Sequence, residues 1–307
     1  MLTIVRALAS AKFPLVLVGH SGRNPKTVPL LTTLSDKLAL ALLAVGSAAL
    51  AVPYDHPHYL GMSFGGKNPV LPEADVVLIL DAEVPWIDTW GNAPQPGARV
   101  FVLDPDPLKQ TYGWSHVDAD LICRVDVEVA LLQLIEAVTS TGVFVDDTAV
   151  RTRAQQLSTR HDNMIANLVK SESTLTDPEV AESAFVLATL REVIAASTPA
   201  RGKKTLWLNE GISNYPHVWD HVRPSVPGSM LSSGGSSLGW ALGAAVGVGL
   251  GAGHKHDMIV AVVGDGTFLF GVPSTAYWMA RRYNTVRFVS LLRRTSKLTR
   301  CILGSRI

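Results

Sequence analysis

The chain has 307 residues, 47% of them hydrophobic and 17% charged, with a net charge of +1. This composition excludes a disordered chain and gives no electrostatic footing for a nucleic-acid partner. The length leaves room for two domains with a sizeable core. Two cysteines, Cys123 and Cys301, are too few for a disulfide framework and match no metal-ligand spacing. A reducing cytoplasmic setting is expected, with an organelle left open.

Residues 14–19 predict a short strand running into the turn His20-Ser21-Gly22-Arg23-Asn24-Pro25, and residues 29–45 carry leucines at helical spacing. Apolar strands are expected at Ala49–Val52, Val76–Leu80 and Val100–Leu103, and a helix at Val127–Val138. Strands alternating with helices imply an α/β fold with a parallel sheet and right-handed crossovers. Residues 1–146 are assigned to this first domain, and 147–200 to a polar helical connection with helices at 151–170 and 177–196. A second α/β domain over 201–288 opens with the strand Lys204–Leu208 and ends with a helix at about 274–283.

Between them lies an uncharged stretch, Ser237 to Gly253, with glycines at 239, 243, 247 and 251. Such small-residue ladders pack membrane helices, but the stretch falls short of the roughly 20 residues a span needs. It is read as a buried helix packed closely on a neighbour.

The strand Met258–Val263 then ends in Gly264-Asp265-Gly266-Thr267. Ligands of parallel sheets bind beyond the carboxyl ends of their strands. Glycines there let backbone amides approach a phosphate, and a carboxylate can hold a hard cation such as Mg²⁺. The pattern points to a metal–diphosphate site. His56, His58, His116, His217 and His221 are read as surface or core-satisfied residues, and Glu83 as a loop residue without a role.

Three features together resemble thiamine-diphosphate-dependent enzymes of the acetolactate synthase / benzoylformate decarboxylase group. They are Gly264–Ser274 followed by Trp278–Thr285, the segment Ser232–Ala245 upstream, and a central domain holding Gly19–Arg23, Asp75–Asp81 and Asp104–Pro107. The resemblance implies two parallel-sheet domains, a Rossmann-like central domain and an incomplete diphosphate-binding domain. It implies that Asp265 coordinates Mg²⁺ and that Gly264, Gly266 and Thr267 meet the phosphates. Leu238 would be the wedge that bends the cofactor, the Ser236 carbonyl would receive its 4′-amino group, and Ser213 would contact the phosphates from the loop Asn209–Ser213. The substrate would be a 2-oxo acid, and the assembly a homodimer or homotetramer without nucleic-acid or membrane partners.

Two departures set the expectations for this chain. The pyrimidine-binding domain of the family, with its glutamate, has no counterpart here, so no catalytic residue is assigned. The asparagine that follows Gly-Asp-Gly in the family is replaced by Arg293-Arg294, and guanidinium groups are not metal ligands. From Thr267 onward there are seven arginines, one lysine and no acidic residue, so 289–307 is read as an aberrant basic tail, through a retained intron or a frameshift. The rival reading is a genuine basic tail that binds an anionic partner. The chain is therefore expected to be an inactive or nearly inactive fragment of a 2-oxo-acid decarboxylase or carboligase. The alternatives are a non-catalytic subunit that dimerises with a full-length partner through the glycine-ladder helix, and a nucleotide-binding Rossmann oxidoreductase reading Gly19–Gly22 as the phosphate turn; within the resemblance, the central domain could also hold FAD.

Overall fold

The computed structural model describes residues 1–307 apart from 65–67, 88–91, 108–116, 141, 174–181, 236, 286–287, 294–298 and 304–307, and describes only the backbone of 288–293 and 299–303. Two compact units divide the chain, Met1–Ile165 and Ala166–Ile307.

The first unit is built on six strands: β1 (Pro14–Val18), β2 (Ala41–Val45), β3 (Tyr59–Ser63), β4 (Val76–Leu80), β5 (Arg99–Asp104) and β6 (Leu121–Arg124). They lie in the order β3-β2-β1-β4-β5-β6 with every pairing parallel. This is the strand order of a doubly wound sheet, reversing direction between β1 and β4. β1, β2 and β4 are buried along their whole length, as continuous apolar runs covered on both faces must be. Leu15, Leu17, Leu43, Val77, Ile79 and Val102 form one core cluster, each burial contributing roughly 1.5–3 kcal/mol.

The leucine run at 29–45 splits, contrary to the helix expected across it. α1 (Leu2–Ser10) precedes β1, while α2 (Thr27–Leu38) ends where Ala39 turns left-handed at φ 50°, and the chain enters β2 two residues later. Ala49–Val52 is a buried connection rather than the strand expected there. α3 (Val127–Ser140) follows β6, and α4 (Asp147–Ser173) is fastened by Arg153, which donates to the Ala11 and Leu38 carbonyls at 2.6 Å each.

The second unit holds β7 (Thr205–Glu210), β8 (Met230–Ser232), β9 (Met258–Gly264), β10 (Phe288–Arg293) and β11 (Thr299–Leu303), ordered β11-β10-β9-β7-β8. All pair in parallel except β11, which returns antiparallel on β10. Its helices are α5 (Ser183–Ser197), α6 (Tyr215–Val222), α7 (Trp240–Ala252), α8 (Asp265–Phe270) and α9 (Pro273–Arg282).

α7 is the glycine-ladder helix, and it is only half buried. Ala241, Leu242, Ala245 and Val246 face the sheet core, whereas a methyl group added at Gly243, Gly247 or Gly251 would meet open space. Of the ladder glycines only Gly239, just before α7, packs closely among the described residues; on the helix itself it is Gly249, outside the ladder, that meets a neighbour, a methyl group there lying 2.8 Å from the Thr285 Cβ. Apolar i, i+4 neighbours outcompete glycine for the sheet because only they bury side-chain area. No described helix is long and apolar enough to cross a membrane.

Candidate functional site

β9 is apolar and buried from Ile259 to Val263, so Gly264 emerges at its carboxyl end with Asp265 opening α8. Asp265 is exposed, and its Oδ1 accepts the Gly266 amide at 3.0 Å. A methyl group at Gly266 would meet nothing within 4 Å, and one at Gly264 only the Thr267 Oγ1 at 3.8 Å. The glycines therefore leave the space around the carboxylate open. Thr267 turns inward and is buried.

β7 lies beside β9 with Glu210 opposite Val263, so the turn after β7 opens at the same end of the sheet as Asp265. Asn209 shapes that turn: its Oδ1 accepts the Gly211 amide at 3.1 Å and its Nδ2 donates to the Tyr215 carbonyl at 3.1 Å. Ser213 follows, exposed, in a single 3₁₀ turn.

Leu238 is exposed and precedes α7 through Gly239, which has φ +88°. A side chain at Gly239 would come within 3.0 Å of the Gly271 Cα, so this loop rests directly on the end of α8. Of the residues singled out from the sequence, Asp265, Gly264, Gly266, Thr267, Ser213 and Leu238 thus gather at one end of one sheet, and Ser236 lies outside the described residues. Arg294 and His116 lie outside them too. Arg293 closes β10 in register with Gly264.

Below the open end is a cavity of about 30 Å³ lined by Ser183, Leu187, Gly211, Asn214, His217 and Gly264. It has room for about two waters. Ser183 Oγ and His217 Nε2 lie 2.6 Å apart, and the His217 ring packs edge-on against His221 at 4.4 Å between centroids. His221 Nδ1 in turn reaches Glu172 at 2.9 Å. Burial alone would raise the Glu172 pKa, but hydrogen bonds from Arg191 and His221, with the charges of Arg191 and Arg223, hold it below the ordinary carboxylate value. These histidines are satisfied by neighbours, as expected for core residues.

One residue of the site carried no expected role. Glu210 is 1% exposed, and its two oxygens accept the Trp240 and Ala241 amides, each at 2.8 Å. It supplies the acceptors that the first turn of α7 lacks. A carboxylate at the end of a buried strand must be paired, which was the available signal, but the partner lies thirty residues on and carries no motif.

The turn after β1 is built differently. A methyl group at Gly19 would lie 2.2 Å from the Asp81 carbonyl oxygen, and one at Gly22 would lie 2.1 Å from that of Leu50. These glycines admit the chain's own backbone, which removes the reason for reading the turn as a dinucleotide cradle.

Residues 1–134 match the family model described as thiamine pyrophosphate enzyme, central domain, and residues 211–291 match thiamine pyrophosphate enzyme, C-terminal TPP binding domain. No curated protein matches. Among solved structures, a thiamine diphosphate-dependent 4-hydroxybenzoylformate decarboxylase from Rhodococcus jostii RHA1 is similar at TM-score 0.67 and 19% identity, over 94% of this chain and 50% of that one. A putative thiamin diphosphate-dependent enzyme from Mycobacterium smegmatis matches at TM-score 0.67 and 19% identity, over 97% of this chain and 53% of that one. The benzoylformate decarboxylase of Polynucleobacter necessarius matches at TM-score 0.67 and 19% identity, over 95% and 50%. The chain spans about half the length of these structures.

Proposed function

The chain belongs to the thiamine pyrophosphate enzymes, and from that premise we propose that it is part of a 2-oxo-acid decarboxylase or carboligase of the benzoylformate decarboxylase kind. In this reading residues 1–146 are the central domain, 147–200 a connection and 201–288 the diphosphate-binding domain. Asp265 holds Mg²⁺. Gly264, Gly266, Thr267 and Ser213 serve the phosphates, while Leu238 and Ser236 position the rest of the cofactor. Two copies would hold the cofactor between them, in a homodimer or homotetramer.

The observation that carries the reading is the meeting of Asp265, the turn ending at Ser213, and Leu238 at one end of the second sheet. The donor set fits in part. Mg²⁺ takes one or two carboxylates, phosphate oxygens and several waters, and Asp265 offers one carboxylate facing open space. Arg293, on the neighbouring strand, adds no oxygen. Bound thiamine diphosphate would supply the electron sink for breaking or making the bond beside the 2-oxo group. This chain's residues would bind and orient it, and among the described residues none is assigned as the acid for its pyrimidine ring. The chain by itself is therefore proposed to bind weakly and to turn over little or nothing.

Calorimetry with Mg²⁺ and thiamine diphosphate tests this on the chain carrying Arg293→Asn and Arg294→Asn. Binding that needs Mg²⁺ and disappears with Asp265→Ala is expected. Binding indifferent to Asp265, or none, sinks the reading. A second reading, a non-catalytic subunit that pairs with a full-length relative, is favoured by the apolar residues exposed around α8 and α9. Leu269 is 75% exposed, Phe270 67% and Trp278 61%. Co-purification with such a relative, lost on replacing Phe270 and Trp278 by serine, distinguishes it.

A further inference from the structure

We propose that Asp36, His56 and His58 form a binding site for a divalent transition-metal cation, for which Zn²⁺ is the probe. The three sit in the first unit, far in sequence from Asp265. Asp36 is in the last turn of α2, and the histidines are in the loop that enters β3. One donor atom from each lies within 4.8 Å of the others. Asp36 Oδ1 and His56 Nε2 are 3.2 Å apart, close to the roughly 3.3 Å edge between two ligands of a tetrahedral ion bound at about 2.0–2.1 Å.

Hydrogen bonding prepares the donors. His56 Nε2 is buried, and its close polar neighbour is the Asp36 carboxylate at 3.2 Å. Ser35 Oγ donates its one hydrogen to the Leu40 carbonyl at 2.8 Å, so it accepts from His58 Nδ1 at 2.9 Å. That fixes the proton on His58 Nδ1 and leaves Nε2 with a free lone pair, the arrangement in which an outer partner orients a metal-binding imidazole. His161 shows the same pattern nearby, donating from Nδ1 to the Tyr59 carbonyl at 2.8 Å.

One bond opposes binding. His56 Nδ1 accepts the His58 amide at 3.2 Å, and ligation through Nε2 moves the ring proton to Nδ1 and gives that long bond up. Asp36 is exposed on its helix, so its carboxylate is free to swing inward as the ligands contract. Two imidazoles with one carboxylate suit Zn²⁺, whereas Mg²⁺ and Ca²⁺ prefer oxygen alone. Water completes the shell.

The test uses the full chain, stripped with a chelator and titrated with Zn²⁺ in excess Mg²⁺, which occupies oxygen-only sites. One Zn²⁺ per chain is expected, weakened at least about tenfold by Asp36→Ala and by His56→Ala and unchanged by Asp265→Ala. Co²⁺ in place of Zn²⁺ should give visible absorption bands that Asp36→Ala removes. Asp36 is a surface residue, so its variant folds and keeps the idea testable even if a histidine variant does not. Absence of stoichiometric Zn²⁺ binding, or binding that survives Asp36→Ala, overturns the proposal.

Discussion

Arg293, the last residue of β10, stands in register beside Gly264, the residue before Asp265. Neighbouring strands lie about 4.8 Å apart, so the backbone that carries Arg293 runs one strand away from the residue before the proposed metal ligand. Replacing Arg293 and Arg294 by asparagine removes two cations and adds side-chain oxygens. We expect Mg²⁺-dependent thiamine diphosphate affinity to rise by at least about tenfold, or roughly 1.4 kcal/mol. Equal affinities for the two proteins in calorimetry would show that the arginines do not govern the site.

Glu210→Gln tests the cap on α7. The amide keeps one acceptor, turns an NH₂ towards a backbone N–H, and loses a charge that favours a helix start. A loss of about 1–3 kcal/mol is expected, seen as a fall in melting temperature of about 2–4 °C per kcal/mol. An unchanged melting curve would mean that the first turn of α7 finds other acceptors.

Two glycines in the same segment should respond with opposite sign. Gly239 has φ +88° and sits against Gly271, so Gly239→Ala adds strain of about 1–2 kcal/mol and a backbone clash. Gly243 lies inside α7 with open space around it, and Gly243→Ala should stabilise by about 0.5–1 kcal/mol. Denaturant midpoints for both variants decide the matter.

His58 makes the first unit sensitive to acid. Burial first, then neighbouring His56, lowers its pKa to about 4, with His161 adding to the depression and Asp36 opposing it. Unfolded, the ring titrates near 6.5. Between the two values the unfolded chain holds a proton that the folded chain refuses, so stability is complete above about pH 7 and falls towards pH 4. In chelator-treated protein, a loss on the order of 2 kcal/mol between pH 7 and pH 5 is expected. His58→Gln should flatten that slope.

The strands that sequence reading found were those whose apolar runs are buried on both faces, such as Val76–Leu80 and Met258–Gly264. β3 and β6 were missed because they are edge strands only partly covered, and Leu121–Arg124 is largely exposed. The end of α2 was illegible for another reason. Ala39 takes a left-handed conformation with no glycine or proline to announce it, and leucines continue on both sides. At the site, Asp265 and the turn to Ser213 were visible because glycines mark the strand ends. Glu210 and the Asp36–His56–His58 group were not, since their partners are set by tertiary packing and not by spacing.

The pairing of Glu210 with α7 also bears on the order in which the second unit assembles. α7 has four glycines among thirteen residues, so in isolation it would hardly populate the helical state. Its first amides find their acceptor only once β7, thirty residues earlier, is in place. Helix formation here is therefore conditional on sheet formation. Substitutions along α7 should change the unfolding rate, faster where they destabilise and slower where, like Gly243→Ala, they stabilise, and leave the refolding rate nearly unchanged, as for an element that docks after the rate-limiting barrier.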